Sequence, residues 1–451
     1  MSCVIFGAGK IARGFIGHLL YLSGIPFVFV EKNRSLVDLI NARGSYTVNI
    51  LGNPERNCIV QGARALSYDD KEEIAGAIAE ADAVFHAVGG KNLEEIVPYL
   101  AAGVAEKAKS GGILNIVACE NWKKPADIIR EGIEKRLSSG IASLYDNRGE
   151  EEGFSEENEG VTDMEGSSKK SEGVTDLEGA PKKTEGVTDL EGTWMDNEAG
   201  RVMEYFREKV GVTEAVILRS AIEPEPEQLR EDPLMVNVQD YWELHVDKSR
   251  IKGSLPEITG LHLIEEFGGF LERKFYTYNA ANGTLSYMGA LLGYEILAEA
   301  AHDERILDIL EGVYSETAKA LCIKYGMDLK EQMEFTRGSL AKLQNYVIVD
   351  KIERNARDPL RKLGPDDRLV GSARMAASYG IIPENLCTAI AAALYYTNKD
   401  DPSAVELARL RKERGADYIL ENVCGLDPEG DLAGLIREKI KLLREEGYIK
   451  D

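Results

Sequence analysis

The sequence has few features of membrane, secreted or nucleic-acid-binding proteins. No uninterrupted apolar run reaches the length of about 20 residues that a membrane-spanning helix needs. The formal net charge is −23, which argues against nucleic acid or an anionic membrane as a general partner. A buried strand is predicted from Val4, which leaves no room for a signal or transit peptide. We therefore expect a cytoplasmic protein.

Cysteine is scarce, and its positions are scattered. None of the six cysteines forms the close pairs that are typical of a zinc site or a redox motif. We therefore expect free, buried thiols and no bound metal. The positions are Cys3, Cys58, Cys119, Cys322, Cys387 and Cys424.

The order of apolar patterns divides the chain of 451 residues into two parts, as its length favours. Before residue 253, short apolar runs such as CVIF, FVFVE, ADAVFHAVG and GGILNIVAC alternate with amphipathic stretches. This alternation predicts parallel strands joined by crossover helices. Long helical patterns dominate afterwards. We predict an α/β domain over 1–252 and a mainly α-helical domain over 253–451.

An acidic insertion at about 147–198 interrupts the first predicted domain. Between Asn147 and Gly200 there are 16 acidic and 5 basic residues. The same stretch repeats EGVTDMEG or EGVTDLEG with a period of 13 residues, starting at Glu159, Glu172 and Glu185. Because apolar residues are too few to form a core, we predict a flexible surface insertion rather than a stacked solenoid. It is the natural candidate to contact a partner, whose identity the repeats do not indicate.

A glycine-rich turn follows the first predicted strand. Gly7, Gly9 and Ala12 form a G-x-G-x-x-A pattern directly after CVIF. In a βαβ unit the first glycine permits the tight turn, the second lets the backbone approach a pyrophosphate, and the small third residue keeps the helix close to the sheet. The helix N-terminus then faces the phosphate charge. This context predicts a Rossmann-type domain that binds a dinucleotide.

The end of the next predicted strand indicates which dinucleotide binds. Glu31 stands where a carboxylate accepts hydrogen bonds from the adenosine ribose and repels a 2′-phosphate. NAD is therefore favoured over NADP, although Lys32 and Arg34 leave NADP open. The predicted cofactor-binding residues are Phe6, Gly7, Ala8, Gly9, Lys10, Ile11, Ala12, Glu31, Lys32, Ala87, Val88 and Gly89.

A lysine and two asparagines stand close together in the segment ERKFYTYNAANG. Lys274, Asn279 and Asn282 lie at the start of a predicted helix, and the two asparagines, three residues apart, share a face. Oxidation of an alcohol needs a base for the hydroxyl proton, and a desolvated lysine with a lowered pKa can be that base. Asparagine amides, including Asn121 after a strand of the first domain, can stabilise the developing alkoxide. These four residues are the predicted catalytic set.

Several long segments resemble the polyol-specific long-chain dehydrogenases. The resemblance implies an N-terminal Rossmann-type domain, a helical C-terminal domain, an active site between them, NAD as cofactor and no zinc. It is strongest to members that interconvert mannitol 1-phosphate and fructose 6-phosphate, and it extends over nearly the whole chain outside the insertion. The segments are FGAGKIARGFIG, VNILG, AVGGKN, ACEN, VDKSRIKGSLPEITG, ERKFYTYN and RDPLRKLGPDDRL.

The resemblance also implies individual roles. It makes Lys274 the general base, and Asn121 and Asn279 the amides that stabilise the alkoxide. The family has a histidine three residues after the second asparagine, where this chain has Asn282. Asparagine can bond a substrate hydroxyl but cannot carry a proton near neutral pH. The identity of the substrate therefore stays open at this position.

A basic cluster follows in the segment RDPLRKLGPDDR. Guanidinium groups suit phosphate oxygens, so a cluster of this kind in an acidic protein indicates an anionic substrate. The alternative is a solvated helix end with surface ion pairs. We predict Arg368 as a substrate contact, and Arg361 and Lys362 as phosphate ligands.

Four functional hypotheses follow. The first is an NAD-dependent dehydrogenase for mannitol 1-phosphate and fructose 6-phosphate, and the second is a related dehydrogenase for an unphosphorylated polyol or for a sugar acid of the altronate/tagaturonate type. The third is a catalytically weak NAD-binding sensor whose acidic repeat recruits a partner. The fourth, a purely structural role, conflicts with the retained lysine.

Overall fold

The computed structural model describes residues 1–122, 124–139, 198–347 and 349–449. The predicted acidic insertion at about 147–198 lies outside these residues, apart from its last position. None of the described helices is both long and apolar enough to cross a membrane.

The described strands form two sheets in the first part of the chain. They are β1 Cys3–Phe6, β2 Phe27–Glu31, β3 Ser45–Leu51, β4 Cys58–Gln61, β5 Ala65–Ser67, β6 Ala83–His86, β7 Leu114–Ala118, β8 Val210–Val216, β9 Ala221–Ile222, β10 Val236–Gln239, β11 Leu244–Asp247 and β12 Leu261–Ile264.

The larger sheet has the order β12-β11-β8-β7-β6-β1-β2-β5. The six strands from β5 to β8 run parallel, whereas β11 is antiparallel to β8. This is the doubly wound order, in which the chain reverses direction across the sheet between β1 and β6. The smaller sheet, β4-β3-β10-β9, packs beside the first helix. The predicted Rossmann-type domain is therefore confirmed.

Helices cover both faces of the larger sheet. Alternate residues of β1 point into different cores, since Ile5 packs in one apolar cluster and Val4 in another. The helices of this part are α1 His18–Leu22, α2 Arg34–Arg43, α3 Lys71–Glu80, α4 Leu93–Ala108, α5 Pro125–Ser138, α6 Glu198–Lys209 and α7 Pro226–Glu231. A π-helical segment, Ala12–Gly17, leads directly into α1.

The second part is helical, as predicted. Its main core is an apolar cluster around α9 and α16, both of which are rich in small residues, and a smaller cluster includes Leu321 and Met375. The helices are α8 Phe267–Lys274, α9 Ala280–Leu291, α10 Leu297–Ala300, α11 Glu304–Tyr325, α12 Leu329–Leu343, α13 Ile352–Ala356, α14 Pro359–Lys362, α15 Val370–Ser378, α16 Glu384–Leu394, α17 Pro402–Arg414, α18 Ala416–Asn422 and α19 Asp431–Glu445.

Some predicted boundaries differ from the structure. The apolar pattern of EAVILRSAI predicts one strand, but the chain leaves the larger sheet after Val216 and enters the smaller one at Ala221. The helical pattern that starts at Leu292 becomes a helix only from Leu297, because Gly293 has a φ of +83° and α9 ends before it. The larger sheet extends to Ile264, so we propose a domain boundary between Ile264 and Phe267 rather than at 252/253.

All six cysteines are unpaired. Four of them are buried, as predicted, and burial raises the pKa of the Cys3 thiol to about 12. Cys58 and Cys322 are only half-buried, so the expectation of full burial is wrong for these two. Among the described residues, no three His, Cys, Asp or Glu side chains are grouped closely enough to hold a metal ion.

Candidate active site

The carboxyl ends of the parallel strands define one edge of the larger sheet. Phe6, His86, Ala118 and Glu214 are register partners on four successive strands. Because neighbouring strands lie about 4.8 Å apart, the residues that follow them form a row along this edge. The glycine turn, the 87–89 loop, Asn121 and Ile217 all emerge from this row. In an open α/β sheet, ligands bind in the crevice at this edge.

The glycine turn is shaped by its two glycines in different ways. Gly7 has a φ of +85°, and a Cβ there would lie 2.7 Å from the carbonyl oxygen of Ala87. Gly9 is exposed, and a Cβ there would meet nothing within 4 Å. Ala12 is buried and begins the π-helical segment. The turn is therefore tight on the protein side and open on the solvent side, which is the shape that a pyrophosphate needs.

Glu31 lies beside this turn. One carboxylate oxygen of Glu31 accepts from the backbone N–H of Ala8 at 2.8 Å, and the other accepts from that of Asn33 at 2.9 Å. A carboxylate has about four acceptor positions, so room remains for ribose hydroxyl groups. Glu31 thus both fixes the turn and presents a negative charge at the predicted adenosine end.

The two lysines predicted near the cofactor are paired with acids. Lys10 Nζ lies 2.7 Å from a carboxylate oxygen of Glu223, and Lys32 Nζ lies 2.9 Å from one of Glu95. Both pairs are well exposed, so they contribute little to stability. The positive charge of Lys32 is offset by Glu95, so the negative charge of Glu31 is the uncompensated charge at the predicted ribose position.

Glu120 holds the 87–89 loop and is not among the predicted site residues. Its carboxylate accepts from the backbone N–H of Val88 at 2.7 Å and of Gly89 at 3.0 Å, and lies 3.3 Å from His86 Nδ1. Glu120 is 9% exposed and directly precedes Asn121. The only signal in the sequence was an acid next to the end of an apolar strand, which is common on surfaces.

Replacing Glu120 with glutamine will loosen this loop. A glutamine has one acceptor oxygen, so at least one of these partly buried N–H groups loses its partner, at a cost of about 0.5–1.5 kcal/mol. We expect this loss in the free energy of unfolding measured with urea. We also expect the dissociation constant for NADH, measured by fluorescence titration, to rise several-fold. Glu94→Gln, at an exposed position on α4, is the matched control. Equal stability and NADH affinity in the two variants would contradict the assigned role of Glu120.

The lysine and asparagine segment lies inside a continuous helix, not at its start as predicted. Lys274 is the last residue of α8, a π-helical segment Phe275–Asn279 follows, and α9 begins at Ala280. In an α-helix, residues five apart differ in direction by about 140°. The wider π-helical turn, with its i to i+5 hydrogen bonds, brings Lys274 and Asn279 closer to one face.

Lys274 is half-buried where the helical part meets the edge of the sheet. Its Nζ donates to the backbone carbonyl of Ile217 at 3.2 Å. Burial, together with the nearby positive charge of Arg368, lowers the pKa of Lys274 to about 8. Ala118 on β7 and Glu214 on β8 are register partners, and Asn121 and Ile217 each follow three residues later. The amine therefore lies at the edge from which Asn121 projects, although no described hydrogen bond links the two side chains.

Asn282 is buried and paired with a residue that was not predicted. Its Nδ2 donates to Oδ1 of Asn355 at 3.1 Å, and the backbone carbonyl of Asn355 accepts from Lys362 Nζ at 2.6 Å. Burial and the charges of Arg368 and Arg361 lower the pKa of Lys362 to about 7. Asn355 thus connects the position of the family histidine with the basic cluster.

The basic cluster divides into an outer and an inner part. Arg361 is exposed and bonds the carboxylates of Asp358 and Asp367 at 2.6 and 3.2 Å. Arg368 is more enclosed: it bonds Asp367 at 2.9 Å and lies over the ring of Phe275, 5.6 Å from its centroid. A Cβ on Gly283 would lie 3.2 Å from Arg368 Cδ, so this glycine makes room for the arginine. Arg368 and the buried Lys362 are therefore the enclosed members of the basic cluster, whereas Arg361 is exposed.

Two further cationic residues near Lys274 were not predicted. Lys342 on α12 donates to the carbonyl of Leu218, next to the carbonyl that Lys274 uses. Arg219 is fully buried and donates to the backbone carbonyls of Gly14 and Gln239 at 3.0 and 2.9 Å. Through its bond to Gly14, Arg219 anchors the 217–218 segment against the helix that follows the glycine turn. The carbonyls of this segment accept from Lys274 and Lys342. No local pattern marked either residue, because each acts through partners distant in sequence.

The fold and the cleft define a two-domain, Rossmann-type class of protein. Family models agree with this division: a mannitol dehydrogenase Rossmann domain matches residues 1–149, and a mannitol dehydrogenase C-terminal domain matches residues 267–420. Together they cover about two thirds of the chain. The chain therefore belongs to the mannitol dehydrogenase family, a family of polyol oxidoreductases, which confirms the resemblance found in the sequence.

Solved structures agree in fold. A D-sorbitol dehydrogenase in substrate-free form is similar with a TM-score of 0.70 and 15% identity, over 99% of this chain and 94% of that one. The mannitol 2-dehydrogenase of Pseudomonas fluorescens, in a ternary complex with NAD and D-mannitol, is similar with a TM-score of 0.62 and 12% identity, over 99% and 92%. At these identities the likeness establishes the architecture alone.

Proposed function

We propose that this chain is an NAD-dependent dehydrogenase that interconverts a phosphorylated polyol and its keto sugar, with mannitol 1-phosphate and fructose 6-phosphate as the substrate pair. Lys274 is the general base, and no metal takes part. The observation that carries the proposal is the half-buried amine of Lys274, which lies at the nucleotide-binding edge of the sheet, with its pKa lowered to about 8 and an arginine beside it.

The residues at the sheet edge fit NAD. The open side of Gly9 leaves space for the pyrophosphate, and Glu31 lies where it accepts from ribose hydroxyl groups. The 87–89 loop, held by Glu120, lines the path from the turn toward Asn121. In this chemistry, the cofactor supplies the acceptor for the hydride that leaves the carbinol carbon.

Proton transfer is the part performed by the helical domain. In polyol oxidation the neutral amine of Lys274 takes the hydroxyl proton, while Asn121 and Asn279 donate to the oxygen as its charge develops. In the reverse direction the ammonium group returns the proton. Because the base must be neutral, polyol oxidation rises as pH increases through about 8, and keto-sugar reduction falls over the same range.

The cleft is suited to an anionic substrate. Four cations form a chain of electrostatic neighbours, in which Arg368 acts on both Lys274 and Lys362, and Lys274 acts on Lys342. Of these four, Arg368 is the one with an ion pair among the described residues, to Asp367. Crowded cations of this kind are stabilised by a bound phosphate, which supplies two negative charges and several acceptor oxygens.

Replacing Lys362 with methionine tests the phosphate contact. We expect the KM for fructose 6-phosphate to rise about tenfold or more, with a smaller change in kcat, because the contact is far from the reacting carbon. Lys351→Met, at an exposed position before α13, is the control. An equal rise in the KM of unphosphorylated fructose would contradict a phosphate contact for Lys362.

The substrate panel tests the proposal as a whole. NADH and NADPH oxidation is followed by absorbance with fructose 6-phosphate, fructose and tagaturonate in turn. We expect oxidation of NADH with fructose 6-phosphate. Oxidation with fructose or tagaturonate alone would replace the proposed substrate, and NADH binding without turnover on any of the three would support the sensor hypothesis.

A second candidate function rests on Asn282. This residue replaces the titratable histidine of the family with a neutral amide, whose orientation is fixed by Asn355. Such an amide suits a substrate with a different hydroxyl pattern, such as an unphosphorylated polyol or a sugar acid. The same panel separates this candidate from the first.

A further inference from the structure

Lys342 and Lys274 reach the same short segment from different helices. Lys274 at the end of α8 donates to the carbonyl of Ile217, and Lys342 near the end of α12 donates to the carbonyl of Leu218. These two acceptors are consecutive in the chain, so both amines are anchored to the same short segment. Arg219, the next residue, is buried and bonded to Gly14 and Gln239, which fixes the segment in the first domain.

One positive and one negative group face this pair of amines. Arg368 faces Lys274, while Asp350 and the ring of Tyr278, 4.7 Å from the amine, face Lys342. Asp350 is already held by both Nε and Nη2 of Arg354 at 2.9 and 3.1 Å. None of the ion pairs found among the described residues includes Lys274 or Lys342. Two amines in one site cannot both remain charged without mutual repulsion.

We propose that Lys342 is a positioning residue for the proton transfer: its charge, anchored at Leu218, favours the neutral form of the neighbouring Lys274 amine and keeps it at the Ile217 carbonyl. This proposal rests on the proposed role of Lys274 as the base. Lys342 acts through Lys274 and does not itself take the substrate proton. Burial, and after it the nearby charge of Lys274, lower the pKa of Lys342 to about 8.

The test is the pH profile of kcat/KM for polyol oxidation in three full-length variants. Lys342→Met removes the charge, and Lys342→Arg keeps it. Lys330→Met makes the same change at an exposed position of the same helix. We expect Lys342→Met to move the rising limb upward by about one pH unit, because without the neighbouring charge Lys274 holds its proton more tightly. Well below the limb, this shift lowers kcat/KM about tenfold.

The control variants decide between a charge effect and a folding effect. Lys342→Arg should restore the limb to within a few tenths of a unit, and Lys330→Met should leave it unchanged. An unshifted limb in Lys342→Met would overturn the proposal, as would a raised KM for the phosphorylated substrate with an unshifted limb. Loss of turnover at every pH in both Lys342 variants would overturn it in favour of a catalytic role. Retained turnover in a Lys274 variant would instead remove the base on which the proposal depends.

Discussion

Replacing Lys274 with methionine lowers kcat by about 10³-fold in both directions while NADH still binds. The expected size follows from general acid–base catalysis, which contributes about 10²–10⁴-fold. Methionine preserves much of the volume of the side chain but cannot exchange a proton. NADH binding is retained because Lys274 contacts the carbonyl of Ile217 and not the glycine turn.

The measurement pairs steady-state kinetics with fluorescence titration of NADH. Lys319→Met, at an exposed position on α11, controls for the substitution itself. Turnover of the Lys274 variant above a tenth of the normal rate would show that another group takes the proton. Loss of NADH binding together with turnover would show that Lys274 supports the cofactor site instead.

Replacing Gly7 with valine raises the dissociation constant for NADH by about a hundredfold or more. Its φ of +85° is unfavourable for a β-branched residue, and its Cβ would lie 2.7 Å from the carbonyl oxygen of Ala87. The strain is relieved only if the turn moves away from the 87–89 loop. That movement separates the two backbone segments that line the cofactor crevice.

Gly24→Val is a control for the effect of φ alone. Gly24 has a φ of +67°, but a Cβ there would meet nothing within 4 Å. We expect both variants to lose stability in thermal unfolding, by about 1–2 kcal/mol from the backbone alone, and only Gly7→Val to lose NADH binding. Equal NADH affinity in the two variants would contradict a cofactor role for the turn.

The cofactor half of the site was predictable because its signals are local. The strand CVIF, the glycines after it and the acid at the end of FVFVE lie within 31 residues. Each has a physical reason to stand where it does: burial for the strand, positive φ for Gly7 and charge for Glu31. Such signals depend on residues close in sequence, so they can be recognised without knowing the tertiary contacts.

The catalytic half was predictable only in part. The sequence placed Lys274, Asn279 and Asn282 in one helix, but not the π-helical segment that realigns the first two. Helical periodicity carries no signal for such a segment, because its turn differs from the surrounding helix by one residue.

Residues that act across the fold were missed. Lys342, Glu120 and Asn355 each depend on partners that are far away in sequence or are backbone groups. The acidic repeats lie outside the described residues, so their predicted partner and exposure stay predictions.

The role of Lys274 as the base is tested most directly by replacing its amine with one of slightly lower pKa. Lys274→Cys is alkylated to S-aminoethylcysteine, whose amine has nearly the same reach and a lower pKa because of the neighbouring sulfur. Wild-type protein treated in the same way controls for Cys58 and Cys322, which are half-buried. The pH profile of kcat/KM for mannitol 1-phosphate oxidation is then compared with that of the wild type. We expect turnover to return only after alkylation, with the rising limb of the pH profile at lower pH than in the wild type. A fully alkylated variant that binds NADH but does not turn over would contradict this role of Lys274.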